Sequence, residues 1–406
     1  MVSAPTTRPA GARRRIRVAF FIDNHTIGGT ELNAVRTAER LDRERFELSV
    51  FCLAADGPLK ARYERAGMPV ESIPIANLYG PAALGTGTRV TRLLRHREVD
   101  IVHCHDRYSN VFGGFWGHLA GRPRMIASRR WWDGEGPAFY RHGNRLAYRC
   151  ADRVLANSAA VGRLLVDSDG VRPEKLVVIP NFVDGSAFEA IEASERAALR
   201  HEFGVPPDAL VVGVVANLRP VKDHQTLLRA IALLEPAWRD RTHVVLVGEG
   251  SERQPLEQLA RELGLGDRVH LPGSRPAVPN LQQLFDVSVL CSLHEGFPNS
   301  LVEAMAAARP IVATNVGGNP DAVTHGENGF LVPPQSPDAL AAGIATLLAD
   351  ADRRRAMGEN GLRRARREFQ AETVIPQLER VYEQLAQPRV QPVVQPVVQP
   401  VVQPHA

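Results

Sequence analysis

The sequence predicts an α/β chain of two doubly wound, Rossmann-like domains facing each other across a cleft. Three observations carry this. The 406 residues exceed one ordinary core and suit two domains of about 180 residues each. Continuous Val- and Ile-rich runs alternate with helical patterns, the signature of parallel sheets covered on both faces. The alternation breaks at Asn-Phe-Val-Asp-Gly-Ser, near residues 181–194, and then starts again.

In the first half, strands are expected near Ile16–Asp23, Phe46–Leu53, Pro69–Ile75, Asp100–His105, Met125–Ser128, Arg153–Ala156 and Leu176–Ile179, with helices such as Glu31–Leu41 and Arg89–Arg97 between them. In the second, strands fall near Leu210–Ala216, His243–Val247, Val269–Leu271, Val287–Cys291, Ile311–Thr314 and Phe330–Val332. Helices fall near Gln225–Leu234, Arg253–Leu263, Ser300–Ala307 and Pro337–Leu348. The domains are therefore set at residues 16–183 and 184–371. A disordered tail is expected at 1–15 and another at 387–406. In the latter, Val-Val-Gln-Pro repeats put proline at every fourth position, which forbids helix and sheet interior. Ligands of doubly wound sheets bind beyond the carboxyl ends of the strands, so a substrate site is expected in the cleft.

Composition excludes several classes. Hydrophobic residues make up 44% and charged residues 23%, as in soluble globular proteins. No apolar run of about 18 residues is present, and no signal-type segment follows Arg13, Arg14 and Arg15, so a cytoplasmic protein is expected. Cys52, Cys104, Cys150 and Cys291 lack Cys-x-x-Cys spacing, which points to buried free thiols rather than disulfides or zinc. The net charge of +4 is spread along the chain, with clusters at 13–15 and 363–367. That fits weak attraction to an anionic donor or membrane surface and no nucleic-acid module. Only Lys60, Lys175 and Lys222 are lysines, against 46 arginines. A lysine kept in such a chain is a candidate for a place where a compact ammonium serves and a planar guanidinium does not, with chance retention the alternative for any single one.

The strongest constellation is His294-Glu295-Gly296-Phe297-Pro298-Asn299-Ser300-Leu301-Val302-Glu303. It follows a buried strand and opens a helix, for which Pro298 and Asn299 are suitable first residues. The amides of Asn299, Ser300 and Leu301 then point into the cleft with the positive end of the helix dipole, a ready diphosphate site. Glu295 precedes the helix and Glu303 lies about one turn inside it. Two carboxylates so placed reach different parts of one ligand, one a sugar and one the ribose hydroxyls. Ala304-Met305-Ala306 makes an apolar setting in which a lone carboxylate at Glu303 would be awkward. In the loop Ala216-Asn217-Leu218-Arg219-Pro220-Val221-Lys222, two cations follow the first strand of the second domain, which also suits a diphosphate. Gly28-Gly29-Thr30-Glu31 follows the first strand, where paired glycines let backbone amides approach a ligand. It is not the Gly-x-Gly-x-x-Gly fingerprint of dinucleotide binding. In Asp100-Ile101-Val102-His103-Cys104-His105-Asp106, strand alternation sends both histidines to one face. No further ligand cluster accompanies them, so no metal site is expected.

Glu295 and Glu303 within Glu-Gly-Phe-Pro-Asn-Ser-Leu-Val-Glu-Ala-Met-Ala fit an E-x7-E signature. With its other motifs, the chain over residues 16–386 resembles glycosyltransferase family 4, retaining and metal-independent enzymes of the GT-B fold. The resemblance implies that the second domain holds most of the nucleotide sugar and that a last helix, 372–386, crosses back to the first. It implies that Glu303 binds the donor ribose and Glu295 the donor sugar. Lys222 would bind the diphosphate, with Arg219 replacing the arginine that the family commonly carries where this chain has Asn217. Gly28 and Gly29 would lie against the donor phosphate and the acceptor. His105, the second histidine of an Asp-x-x-His-x-His run, would lie in the cleft and contact the donor sugar or acceptor. Val316-Gly317-Gly318-Asn319-Pro320-Asp321 resembles the Gly-Gly-x-Pro-Glu loop, with Asp321 in place of Glu. Ser274 and Arg275 are expected near the base, and Ser128-Arg129-Arg130-Trp131-Trp132 along an acceptor groove, with core or domain packing the equal alternative for the two tryptophans. Asp167-Ser168-Asp169 and Asp350-Ala351-Asp352 mimic an Asp-x-Asp metal motif but fall at helix ends and read as surface turns.

The implied activity is transfer of a hexose-type sugar from a UDP- or GDP-linked donor, without a cofactor, to a glycan or lipid-linked acceptor. Cell-envelope or exopolysaccharide synthesis, at the inner membrane surface, is the expected setting. Two rivals share the architecture. A nucleotide-sugar epimerase would release an altered nucleotide sugar without an acceptor. A non-catalytic nucleotide-sugar-binding protein would not need the intact set of Glu295, Glu303 and Lys222.

Overall fold

The computed structural model describes residues 14–75, 78, 80–121, 123–132, 138–275 and 281–387. The tails expected at 1–15 and 387–406 lie outside them, except for residues 14, 15 and 387. One sheet contains β1 (Ile16–Ile22), β2 (Phe46–Cys52), β3 (Val70–Ser72), β4 (Ile101–Cys104), β5 (Arg124–Arg129), β6 (Arg153–Ala156) and β7 (Leu176–Val178). Its strands are parallel, in the order β3-β2-β1-β4-β5-β6-β7. The other contains β8 (Leu210–Val215), β9 (Thr242–Val247), β10 (Val269–Gly273), β11 (Val287–Leu290), β12 (Ile311–Thr314) and β13 (Gly329–Val332), also parallel, in the order β10-β9-β8-β11-β12-β13. These are the two Rossmann-like domains.

Strand β1 shows why its sequence is an apolar run. Alternate side chains point to opposite faces, and helices cover both. Val18, Phe20 and Ile22 enter one core, whereas Ala19 and Phe21 enter the other. On the second face Phe21 stacks on Phe51 of β2, with ring centroids 4.9 Å apart. Each of the buried Val, Ile and Phe side chains stabilises the fold by roughly 1.5–3 kcal/mol.

The helix Ala371–Ala386 belongs to the first domain although it follows the second in sequence. Val374, Ile375, Leu378, Val381, Tyr382 and Leu385 are buried in the core that holds Val18 and Phe20. The two crossings run side by side, with Val183 N–H donating to the Phe369 carbonyl at 2.9 Å and Ala371 N–H to the Val183 carbonyl at 3.1 Å. The Tyr382 hydroxyl meets Nδ1 of the buried His103 at 2.6 Å, and Ser128 Oγ holds the other ring nitrogen at 2.9 Å. Replacing Tyr382 with Phe leaves His103 Nδ1 buried without a partner and should lower stability by about 1–3 kcal/mol. Urea denaturation of the two proteins checks this, and equal midpoints would show that the bond does not anchor the helix.

Several expectations change. The helix expected from Arg89 begins at Pro81. Arg107–Leu119 and Ala138–Cys150 are helices that their glycines conceal, since glycine is a poor helix former. Gly113 is there for contact rather than propensity, because a Cβ on it would lie 2.8 Å from the Phe21 ring. Of the thiols, Cys52, Cys104 and Cys291 are buried but Cys150 is exposed. Lys175 caps a helix end, donating to the Arg149 and Ala151 carbonyls.

In each sheet the strand order reverses once, between β1 and β4 and between β8 and β11. A crevice opens at such a point beyond the carboxyl ends of the strands. The loops that follow these four strands carry Gly28-Gly29, His105-Asp106, Arg219 with Lys222, and Glu295 with Asn299.

Candidate active site

The second-domain wall is built by the loops after β8 and β11. Leu293 N–H donates to the Val221 carbonyl at 2.8 Å and the Cys291 thiol to the Lys222 carbonyl at 3.3 Å, so the loops are strapped together. Asp223, with φ 47°, turns the chain sharply after Lys222, in a left-handed conformation that Asp tolerates better than most residues. The Lys222 ammonium lies 2.5 Å from the Glu295 carboxylate, which also accepts the Ser292 hydroxyl at 2.7 Å. Glu295 is buried. It therefore keeps a cation at the mouth of the helix Asn299–Ala306, whose first residue follows Pro298 and receives no side-chain cap. Asn299 Nδ2 donates to the Gly29 carbonyl at 3.4 Å, so the Gly-Gly loop of the first domain touches this helix start directly.

Gly317 shows how tightly the loops are stacked. Its φ is +49°, and a Cβ on it would lie 1.9 Å from the Glu295 carbonyl oxygen. Any larger residue displaces the Glu295 backbone. Asp321, four residues on, accepts the Ala160 N–H of the first domain at 3.2 Å. It thus ties the domains at the start of the helix Ala159–Asp167.

Glu303 is buried and lies 3.4 Å from the Arg36 guanidinium, on the helix Gly29–Arg40 of the other domain. Burial pushes its carboxyl up and Arg36 opposes the shift. Arg36 was not singled out from sequence, because a partner 267 residues away leaves no local pattern. Burial likewise raises the Glu31 carboxyl, opposed first by a backbone hydrogen bond, then by the Asn24 side chain and last by the Arg219 charge of the other domain. Arg275 does not join this set through its contacts. It pairs with Glu202 at 2.8 Å and lies over the Phe203 ring.

On the first-domain side the histidine rings stack, with centroids 4.0 Å apart, and His105 also lies against Phe20. Burial holds both well below the ordinary histidine range, so both are neutral. His105 is fully enclosed rather than open to the cleft, and neither ring nitrogen has a protein partner. A ligand reaches it only when neighbouring side chains move. In the segment expected along an acceptor groove, three side chains are used for packing. Ser128 binds His103, Arg129 pairs with Asp169, and Arg130 donates to Asn33 Oδ1 at 2.6 Å and Asn181 Oδ1 at 3.1 Å. Asn181 in turn donates to the Phe297 carbonyl at 2.8 Å, coupling this segment to the loop before Asn299.

A carboxyl pair joins the ends of β1 and β4. Asp106 caps the helix Arg107–Leu119 and accepts the Asp23 N–H at 2.8 Å. Ser109 N–H donates to both side chains. Burial, then the charge of Asp106, holds the Asp23 carboxyl well above its ordinary 3.8. A carboxyl raised in the folded state binds its proton more tightly there than in the unfolded chain. Stability is therefore lost as pH rises from the unfolded value through the raised one. Asp23→Asn should raise the melting temperature at neutral pH and lose that advantage as pH falls below about 4. Melting curves across pH test it, and a pH-independent difference would remove the repulsion.

Among the described residues no group of three or more His, Cys, Asp or Glu side chains is arranged to hold a metal ion. Among the same residues no helix is long and apolar enough to cross a membrane.

Residues 27–187 match the family model described as Glycosyltransferase Family 4, and residues 195–364 that described as Glycosyl transferases group 1. D-inositol 3-phosphate glycosyltransferase of Kineococcus radiotolerans is 33% identical over 390 residues, covering 83% of this chain and 86% of that one. The enzyme of the same name from Thermobispora bispora is 30% identical over 400 residues, covering 88% and 92%. The crystal structure of Anabaena Alr3699/HepE in complex with UDP-glucose is 27% identical, with a TM-score of 0.80 across 91% of this chain and 100% of that one. WaaG, a glycosyltransferase involved in lipopolysaccharide biosynthesis, is 18% identical with a TM-score of 0.70 across 91% and 99%, and shares the fold. Two Rossmann-like domains whose switch-point loops meet across one cleft define the GT-B class of glycosyltransferases. The chain belongs to glycosyltransferase family 4.

Proposed function

We propose that the chain transfers a hexose-type sugar from a nucleoside-diphosphate donor to a glycan or lipid-linked acceptor, with retention of anomeric configuration and no metal ion. The observation that carries this is the Lys222–Glu295 pair beside the uncapped start of Asn299–Ala306. A fixed cation and free helix amides meet where a diphosphate would leave, so charge is neutralised without a divalent ion. The likeness to a protein solved with UDP-glucose favours UDP over GDP. The acceptor hydroxyl attacks the anomeric carbon on the face that the diphosphate leaves. The bond from that carbon to the phosphate oxygen breaks, the new glycosidic bond forms, and the acceptor proton passes to the departing diphosphate. Glu295 and His105 would position the sugar, Glu303 the ribose, and Lys222, Arg219 and the 299–301 amides the diphosphate, with the Gly28-Gly29 loop against it.

The relatives named for D-inositol 3-phosphate suggest a phosphorylated acceptor. A neutral sugar hydroxyl, in a cytoplasmic step of envelope or exopolysaccharide synthesis, is the other class of acceptor, and the acceptors offered in the assay decide between the two. Incubating the protein with UDP-hexoses, with and without candidate acceptors, tests the reading. Retained anomeric configuration in a product made only with acceptor supports it. Altered nucleotide sugar formed without acceptor would replace it with epimerisation.

A further inference from the structure

The helices Pro81–His96, Arg107–Leu119 and Ala138–Cys150 lie side by side over one face of the first sheet. Val90, Leu94, Phe112 and Tyr148 turn inward to the core that holds Phe21 and Cys104. The helices are tightly joined. The Trp116 ring occupies the space a Cβ on Gly87 would take, Thr91 Oγ1 donates to the Trp116 carbonyl, and Val111 sits against Gly143.

The outer side of this layer departs from the rest of the surface in two ways. Not one Asp or Glu occurs in the three helices, although the chain has 45 among 406 residues, and the three carry seven arginines. Six of the nine large apolar side chains that stand exposed among the described residues also lie on them: Leu84, Tyr108, Phe115, Leu119, Phe139 and Leu146. Phe115 is 58% exposed and Leu146 62%. The spacing is helical, with Tyr108, Phe115 and Leu119 on one stripe and Phe139 and Leu146 on the next. Arg92, Arg141 and Arg149 are exposed among them.

We propose that this face docks on an anionic lipid surface. Apolar side chains enter the boundary between headgroups and acyl chains while arginines meet the anionic headgroups. A nucleic acid would satisfy the arginines but not Leu84, Phe115 and Leu146. A second copy of the chain would set arginines against arginines. The face also leads to the cleft, because the helix Arg107–Leu119 starts at Asp106, next to His105. Docking would thus bring the first-domain side of the cleft to the bilayer, where a lipid-linked acceptor lies. That last consequence rests on the glycosyltransferase reading; the docking does not.

Flotation of the full chain with phosphatidylcholine vesicles, with and without phosphatidylglycerol, tests the proposal. Binding should require phosphatidylglycerol and weaken as salt rises. Arg92→Ser/Arg141→Ser/Arg149→Ser should weaken it about a hundredfold, at about 1 kcal/mol per cation. Phe115→Ser/Leu146→Ser should weaken it about tenfold or more. Arg363→Ser/Arg367→Ser, on a helix of the other domain, should leave it unchanged. A thermal shift with UDP on every variant reports an intact fold and tests the donor site separately from docking. Three results would overturn the proposal: no binding of the full chain, equal loss in the Arg363/Arg367 variant, or full binding by the Phe115/Leu146 variant, which would mark attraction to any polyanion.

Discussion

Lys222→Ala abolishes most of the stabilisation that UDP confers and slows sugar transfer by about a hundredfold to a thousandfold, the size expected when one preorganised donor to a developing charge is lost. In the wild type, UDP at about 100 times its dissociation constant should stabilise the fold by about 2.7 kcal/mol. The variant removes the ammonium that lies against Glu295 and leaves that buried carboxylate with Ser292 as its remaining side-chain partner. The melting temperature without nucleotide should therefore fall as well, through the uncompensated charge. Lys222→Arg separates the two effects. It restores the charge, but a planar fork does not reproduce a compact ammonium between a carboxylate and a diphosphate. Melting curves with and without UDP, together with transfer rates, read out all three proteins. An intact UDP shift and rate in Lys222→Ala would remove the diphosphate assignment.

The second large effect concerns Glu303. Glu303→Ala should weaken donor binding about tenfold or more, the loss of roughly one charged hydrogen bond at 1.5–3 kcal/mol. The Arg36 partner complicates the reading and also makes it decidable. Arg36→Ala removes the charge opposite Glu303 and leaves the carboxylate in place. It should lower stability, since breaking a buried pair leaves a charge alone, but keep more of the UDP affinity than Glu303→Ala does. Calorimetric titration with UDP distinguishes the cases. Equal weakening by both variants would mean that Glu303 acts by closing the domains through Arg36. Unchanged affinity in Glu303→Ala would end the ribose assignment.

The strands were legible because their apolar runs are short, Val- and Ile-rich and buried on both faces. Arg153–Ala156 and Ile311–Thr314 read off the sequence with their observed ends. Helices that meet a neighbour through glycine were not. In Arg107–Leu119, Gly113, Gly114 and Gly117 weaken the local signal while allowing the close approach that holds the element in place. The site was legible where one loop holds a whole motif, as in Glu295 to Glu303. It was illegible where the geometry depends on pairs distant in sequence. Arg36 with Glu303, Arg130 with Asn181, and Asp321 with the Ala160 amide are each joined only by folding. Trp131 and Trp132 left two uses open in the sequence, an acceptor groove and packing. Aromatic residues suit sugars, but Trp131 lies beneath Arg107 and Arg129, and Trp132 packs at the edge of the core.

The helix Ala371–Ala386 completes a core begun by Ile16–Ile22. On a ribosome, the second domain's strands, residues 210–332, are all made before that helix emerges. The first domain, although synthesised earlier, must wait with the Phe20 and Phe46 side of its sheet covered only in part, by the helices Gly29–Arg40 and Lys60–Arg65. The order of birth is thus reversed in the order of completion, and a nascent chain would need its hydrophobic sheet shielded until this sixteen-residue helix arrives.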